Sequence, residues 1–192
     1  MEKNIFDRAI EHAMMYEVGS FFKVTPEVEE GLINTPAQKK AVGYVNDPLD
    51  RGGETKFGVS KNANPDINIT TLNWADAKKI YFNRYWLPSH CHELTSKLSI
   101  LHFDSAVNHG VVRANRFLQE ASNVKSDGII GNITLDAIRK LNEVDLCDKI
   151  CSLREEFYKE ITERKPDQKK FLKGWLTRIT ETHIFLKNLD LR

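Results

Sequence analysis

At 192 residues, with a formal net charge of +1 and 29% charged residues, the chain can bury a real core in one large domain or two small ones. The near-neutral balance lacks the basic stripe of a nucleic-acid binder, and no apolar run approaches the roughly 20 residues of a membrane span. Nucleic acid is therefore not expected as a partner, nor is a membrane-spanning segment. Met1 to Asp7 lead straight into an amphipathic pattern without the apolar core of a signal peptide, so the chain reads as cytoplasmic at synthesis. Cys91, Cys147 and Cys151 are odd in number, and His90-Cys91-His92 lacks the spacing of a metal site. Buried free thiols are expected, with no metal and no cofactor.

Residues 4–17 carry Ile5, Phe6, Ala9, Ile10, Ala13 and Met14 at helical spacing, and Gly19 is a plausible stop. Residues 20–42 mix Phe21-Phe22 with Pro26, Pro36 and Lys39-Lys40, and read as an insertion of one or two short helices resting on the surface. Thr55 to Ser60 read as a short strand in a small hairpin. Thr71 or Asn73 can cap a helix carrying Trp74, Ala77, Ile80, Tyr81, Tyr85 and Trp86 before Pro88. Further helices are expected over 94–109, 112–122, 132–142, 144–163 and 168–190. The last has Phe171, Leu172, Trp175, Leu176, Ile179, His183, Leu186 and Leu189 as its buried stripe. The fold class is mainly α with one small β-hairpin.

The stretch from Gly43 to Gly58 holds four glycines, Pro48, Asp47, Asp50 and Thr55, a composition suited to tight turns that fix short polar side chains. Upstream, Glu17 ends the apolar stripe of the first helix. A carboxyl group on an apolar face at a helix C-terminus is held more readily as the neutral acid, the form that protonates a leaving oxygen. The alternative is a glutamate at a frayed helix end facing water. Asp50 and Thr55 flank the Gly52-Gly53 turn and can orient a water between them, as an inverting glycosidase requires across roughly 6.5–9.5 Å from its acid. Equally, Asp50 can cap a turn and Thr55 be an ordinary strand residue. Asp47, in Asn46-Asp47-Pro48, reads as a turn initiator.

This pattern resembles the family 108 glycoside hydrolases, phage-type N-acetylmuramidases, some of whose members are labelled secretion activator proteins. The resemblance rests on Gly43 through Ser60 and on Tyr81 with Tyr85-Trp86. It continues in Phe103-Asp104-Ser105-Ala106-Val107-Asn108-His109-Gly110, in Leu118-Gln119 with Asp127-Gly128-Ile129-Ile130-Gly131, and in Gly174-Trp175 with Arg178. It implies a lysozyme-like helical fold and hydrolysis of the β-1,4 bond between N-acetylmuramic acid and N-acetylglucosamine in bacterial peptidoglycan, reached after release or export. The acid role falls on Glu17, with Asp50 and Thr55 as its partners. Residues 1–110 would form the catalytic region, with 20–42 inserted. Residues 111–192 would form a peptidoglycan-binding-like region packed with it as one compact unit.

Two departures from the family pattern stand out: the inserted segment separates Glu17-Val18-Gly19 from Gly43-Tyr44, and Val18 replaces a glycine. The insertion is tolerable if its ends meet, since loop closure costs only about 0.6 kcal/mol per doubling of length. It can narrow substrate choice, act as a lid or accompany loss of activity, and Glu27, Glu29 and Glu30 within it read as a solvated face. Tyr44 and Tyr85 can stack on sugar rings, whereas Trp86 reads as core. Asn108 and His109 can line the cleft as hydrogen-bond donors, or His109 can be a buried, bonded histidine. Asp127-Gly128 reads first as a turn and second as a contact for wall peptide. The alternatives to a muramidase are a lytic transglycosylase and a non-catalytic peptidoglycan-binding or secretion-associated protein.

Overall fold

The structure, a computed structural model, describes residues 4–47 and 52–189. The chain is mainly α, and among the described residues the only sheet is a two-stranded antiparallel one. Contacts part it into a smaller unit, residues 10–84, and a larger one, residues 1–9 with 85–192. The boundary expected from sequence at 110–111 lies inside the larger unit.

Helix α1 (Ile5–Glu17) follows the predicted apolar spacing, with Ala9, Ile10, Ala13 and Met14 fully buried. In the smaller unit it is followed by two short helices, α2 (Pro26–Glu30) and α3 (Pro36–Ala41). Each opens on a threonine cap with proline at the first helical position. Thr25 accepts from the Val28 N–H, and Thr35 forms a capping box with Gln38. These are the two short helices expected of the insertion, but the segment does not merely rest on the surface. Phe22 is buried, its ring 5.2 Å from Trp74 and 6.5 Å from Phe57, and Val28 and Val42 are buried as well. The paired phenylalanines misled the expectation, because Phe22 turns into the core while Phe21 stays 45% exposed.

The hairpin pairs β1 (Thr55–Lys56) with β2 (Val59–Ser60), in the register Thr55 to Ser60 and Lys56 to Val59; Val45 bridges to Thr55 on the other side. Its two turn residues, Phe57 and Gly58, both have positive φ, 53° and 71°, as a type I′ turn demands. Left-handed backbone costs a bulky residue about 1–2 kcal/mol, and burying a phenylalanine returns about 1.5–3 kcal/mol. Phe57 is fully enclosed against Phe22 and Trp74, so burial outweighs the strain. Helix α4 (Trp74–Tyr81) is capped by Asn73, whose Oδ1 accepts from the Asp76 N–H. The predicted continuation to Trp86 exists, but it winds as a π-helical turn over Phe82–Trp86.

The larger unit is organised on α5 (Ser96–His109), in which Leu98 through Ala106 are all buried. Phe6, Trp86 and Phe103 meet edge to face at 5.2–5.8 Å, so Trp86 is core, as expected. Helices α6 (Val111–Ala121), α7 (Asn132–Ile138), α8 (Glu143–Arg164) and α9 (Lys169–Asn188) follow. The α9 stripe differs from the prediction. Its buried residues are Arg178, Ile179, Thr182 and Leu186, whereas Phe171 is 47% exposed and Leu172, Trp175, Leu176 and His183 are half-buried.

The reason is a buried ion cluster. Asp104 on α5 accepts from Arg154 Nη2 of α8 at 2.8 Å through one oxygen and from Arg178 Nε of α9 at 2.9 Å through the other. Arg154 and Asp104 have no solvent exposure. A charge buried to this degree persists only when paired and hydrogen-bonded, so α9 turns its Arg178 face inward at the expense of apolar residues. All three cysteines are free and buried. Burial pushes the Cys147 thiol up to about 12 and Cys151 to about 11, and moves Cys91 upward too, which leaves them as packing groups.

Candidate active site

Glu17 is the last residue of α1 and is half-buried. Beneath it lies the I′ turn. A Cβ built on Gly58 would sit 3.2 Å from the Glu17 Cβ and 2.5 Å from the Tyr81 hydroxyl, so only a glycine lets the turn pass between them. The Tyr81 hydroxyl, buried, donates to the Phe57 carbonyl at 3.0 Å. The Phe57 N–H in turn donates to the Val42 carbonyl at 2.8 Å. The strained turn is thus fixed on both sides, and the end of α1 is fixed on the turn.

Thr55 lies in β1, where its backbone pairs with Val45 at 2.8 and 3.0 Å. Its Oγ1 donates to the Gly53 carbonyl at 3.1 Å. With its proton committed, the hydroxyl oxygen has lone pairs left to accept from a water. Asp50 lies outside the described residues. Tyr44 is half-buried and its hydroxyl donates to Glu54 Oε1 at 2.8 Å, an oxygen that also accepts from Thr70 Oγ1 at 2.7 Å. The bond to the Glu54 carboxylate, helped by burial, holds the Tyr44 phenol above its ordinary range. Next to it Lys56 is enclosed, with Nζ donating to the Thr70 carbonyl at 2.8 Å, and burial lowers its pKa.

The ends of the insertion meet. A Cβ on Gly43 would lie 3.2 Å from Val18 Cγ1, so the chain returns to the residue after Glu17 before entering the Gly43–Gly58 stretch. The smaller unit therefore brings Glu17 and the hairpin together, with Tyr44 bonded into the Glu54 side of that hairpin.

Tyr85, Asn108 and His109 belong to the larger unit. Tyr85 is half-buried in the π-helical turn. Asn108 Oδ1 accepts from the Tyr158 hydroxyl, and His109 Nε2 accepts from Arg154 Nε at 3.3 Å. The His109 ring is packed by Phe117, Phe157 and Tyr158 at 4.9–5.6 Å. Burial, then the nearby Arg154 guanidinium, pushes its pKa down to about 3. His109 is thus half-buried and bonded, and the motif from Phe103 to His109 serves core, ion cluster and helix docking in turn. Asp127 is a turn residue: Oδ1 accepts from Gln119 Nε2 and the Ile129 N–H at 2.9 and 3.0 Å.

Sequence reasoning missed Glu54, Thr70 and the role of Tyr81. A carboxylate beside Thr55 and across the strand bridge from Tyr44 was the available signal for the first. Among the described residues, no group of three or more His, Cys, Asp or Glu side chains is placed to hold a metal ion, and no helix is long and apolar enough to cross a membrane.

Residues 31–110 match the family Glycosyl hydrolase 108, and residues 111–180 match the Predicted Peptidoglycan domain. The chain thus carries a glycosyl hydrolase 108 domain followed by a peptidoglycan domain, which supports a peptidoglycan hydrolase in general. The match begins at Gly31 and so takes in residues 31–42 of the segment read from sequence as an insertion; Glu17 precedes it. The structure of SagA from Brucella abortus is similar in fold, with a TM-score of 0.69 over 97% of this chain and 96% of that chain, at 23% identity. No curated protein matches the chain.

Proposed function

We propose that the protein is an N-acetylmuramidase, hydrolysing the β-1,4 bond between N-acetylmuramic acid and N-acetylglucosamine after release or export to the wall. The observation that supports this reading is the packing of the Glu17 stem against the Phe57-Gly58 turn, which holds the end of α1 beside the polar hairpin. In the proposed reaction Glu17 donates its proton to the glycosidic oxygen as the bond to the anomeric carbon breaks. Asp50 takes a proton from a water that Thr55 Oγ1 orients, and the hydroxide adds to the anomeric carbon from the opposite face. Proton exchange with solvent then restores Glu17 to the acid and Asp50 to the carboxylate. Tyr44, its hydroxyl held by Glu54, presents an aromatic face to a sugar ring.

The test is turbidity loss of purified walls, with wild type compared against Glu17→Gln. Loss of a positioned general acid lowers the rate by about 10²–10⁴-fold. Equal rates would remove Glu17 from the reaction. Mass spectrometry of the fragments separates the chemistries: reducing-end muramic acid supports hydrolysis, and a 1,6-anhydro ring would make the protein a lytic transglycosylase. Binding to walls with no fragment release would make it a non-catalytic binder.

A further inference from the structure

Besides Lys23, the inserted segment carries its charges in two blocks. Glu27, Glu29 and Glu30 lie on α2, and Lys39 and Lys40 form the last turn of α3. The lysine block is tied to the start of the candidate site by backbone bonds: the Tyr44 N–H donates to the Lys39 carbonyl at 2.8 Å and the Gly43 N–H to the Lys40 carbonyl at 3.1 Å. Each ammonium lies over an aromatic ring, Lys39 Nζ 5.7 Å from the centre of Tyr44 and Lys40 Nζ 4.8 Å from that of Phe21. Phe21 in turn folds back over Gly19, two residues past Glu17. Both lysines are exposed, and neither pairs with a carboxylate among the described residues.

Cations at a helix C-terminus are ordinary, since they complement its partial negative charge. Here, however, the two ammonium groups sit over rings beside the end of α1 and the Gly43-Tyr44 strand. They are held there by a capped helix whose segment is pinned through Phe22 and Val42. A ring face suits the C–H surface of a sugar, and an unpaired ammonium above it suits a carboxylate on that sugar. In peptidoglycan such carboxylates belong to the lactyl group of muramic acid or to the stem peptide attached to it.

We propose that Lys39 and Lys40, with Tyr44 and Phe21, form a subsite for the carboxylates of the glycan, so that the insertion selects acidic muramyl chains over neutral amino-sugar polymers. This rests on the reading of the smaller unit as a muramidase. The two lysines lie outside the proposed acid and water machinery, and Glu27, Glu29 and Glu30 on α2 give the segment no net charge to act through at long range.

The experiment is a binding titration on full-length protein, wild type against the Lys39→Gln/Lys40→Gln double variant, so that it does not depend on turnover. Three soluble ligands serve as probes: glycan chains with stem peptides, the same chains stripped of peptide to leave free lactyl carboxylates, and neutral N-acetylglucosamine oligomers. Two exposed ion pairs together are worth roughly a three- to tenfold change in affinity. The double variant should lose that factor on acidic chains, bind neutral oligomers as wild type does, and recover with Lys39→Arg/Lys40→Arg. The ligand showing the larger loss identifies the source, stem peptide or lactyl group. The wild-type preference should also shrink in high salt. Equal affinity of the two proteins for both acidic ligands would overturn the proposal, as would an equal loss on neutral oligomers, which would mean a packing defect. If wild type shows the acidic preference but releases no fragments, the muramidase reading fails and the carboxylate subsite stands.

Discussion

Replacing Asp104 by asparagine keeps the shape of the side chain and removes a carboxylate shared by two buried arginines. Arg154 has no exposed surface and Arg178 little, so neither guanidinium can turn to water for compensation. At a separation near 4 Å and an effective dielectric of about 20, each lost attraction is worth about 4 kcal/mol, partly offset because the asparagine oxygen still accepts one bond. Removing one partner of a buried pair typically costs about 3–5 kcal/mol. That is a large part of the roughly 5–15 kcal/mol that holds a domain folded. For a chain of this size it lowers the melting temperature by about 6–20 °C. Urea denaturation followed by far-UV circular dichroism measures it, with the slope of the transition unchanged. A loss under 1 kcal/mol would refute the argument, since it would mean the arginines find other partners. The companion change, Asp104→Leu with Arg154→Met and Arg178→Met, removes the desolvated charges altogether and should recover most of the lost stability.

Gly58→Ala places a Cβ 2.5 Å from the Tyr81 hydroxyl and 3.2 Å from the Glu17 Cβ, at a φ of 71°. Wall-lysis rate should fall at least tenfold, with stability reduced by about 1–3 kcal/mol; lysis at the wild-type rate would mean that Glu17 does not depend on the turn. Acid should weaken the larger unit: burial holds His102 down at about 4 and His109 at about 3, against about 6.5 in an unfolded chain. Between pH 6.5 and about 4 the unfolded chain binds protons that the native chain does not, so stability is full near pH 7 and falls as pH drops through that window. The slope reaches at most about 1.4 kcal/mol per pH unit for each histidine. Denaturation midpoints at pH 7, 6 and 5 check this, and a flat profile, or one unaltered by His102→Gln, would contradict it.

How much of this was legible in the sequence depends on which forces act. Helices α1 and α5 follow from apolar spacing, because burial of one face dominates their energetics. The hairpin was visible as a turn-rich stretch, but its turn type was not. A phenylalanine at positive φ contradicts local preference, and only packing against Phe22 and Trp74 makes it tolerable. The pairing of Arg154 and Arg178 with Asp104 was not legible, because charge is normally at the surface and the partners lie 50 and 74 positions apart. The same long-range pairing explains why Phe171 is exposed and why His109 faces Arg154. The stripe singled out Glu17 as a candidate, but nothing local announced that Glu17 and Tyr81 would bracket Gly58.

The contact between Val18 and Gly43 makes residues 19–42 a closed excursion that leaves and rejoins the chain at one point. Such a segment can change in length and sequence without moving the acid behind it or the hairpin ahead, provided the anchoring contacts of Phe22 and Val42 are kept. The closing contact between Val18 and Gly43 thus holds the two ends together whatever lies between them. Segments exchanged between those two residues offer a route to retarget the protein to a different wall chemistry.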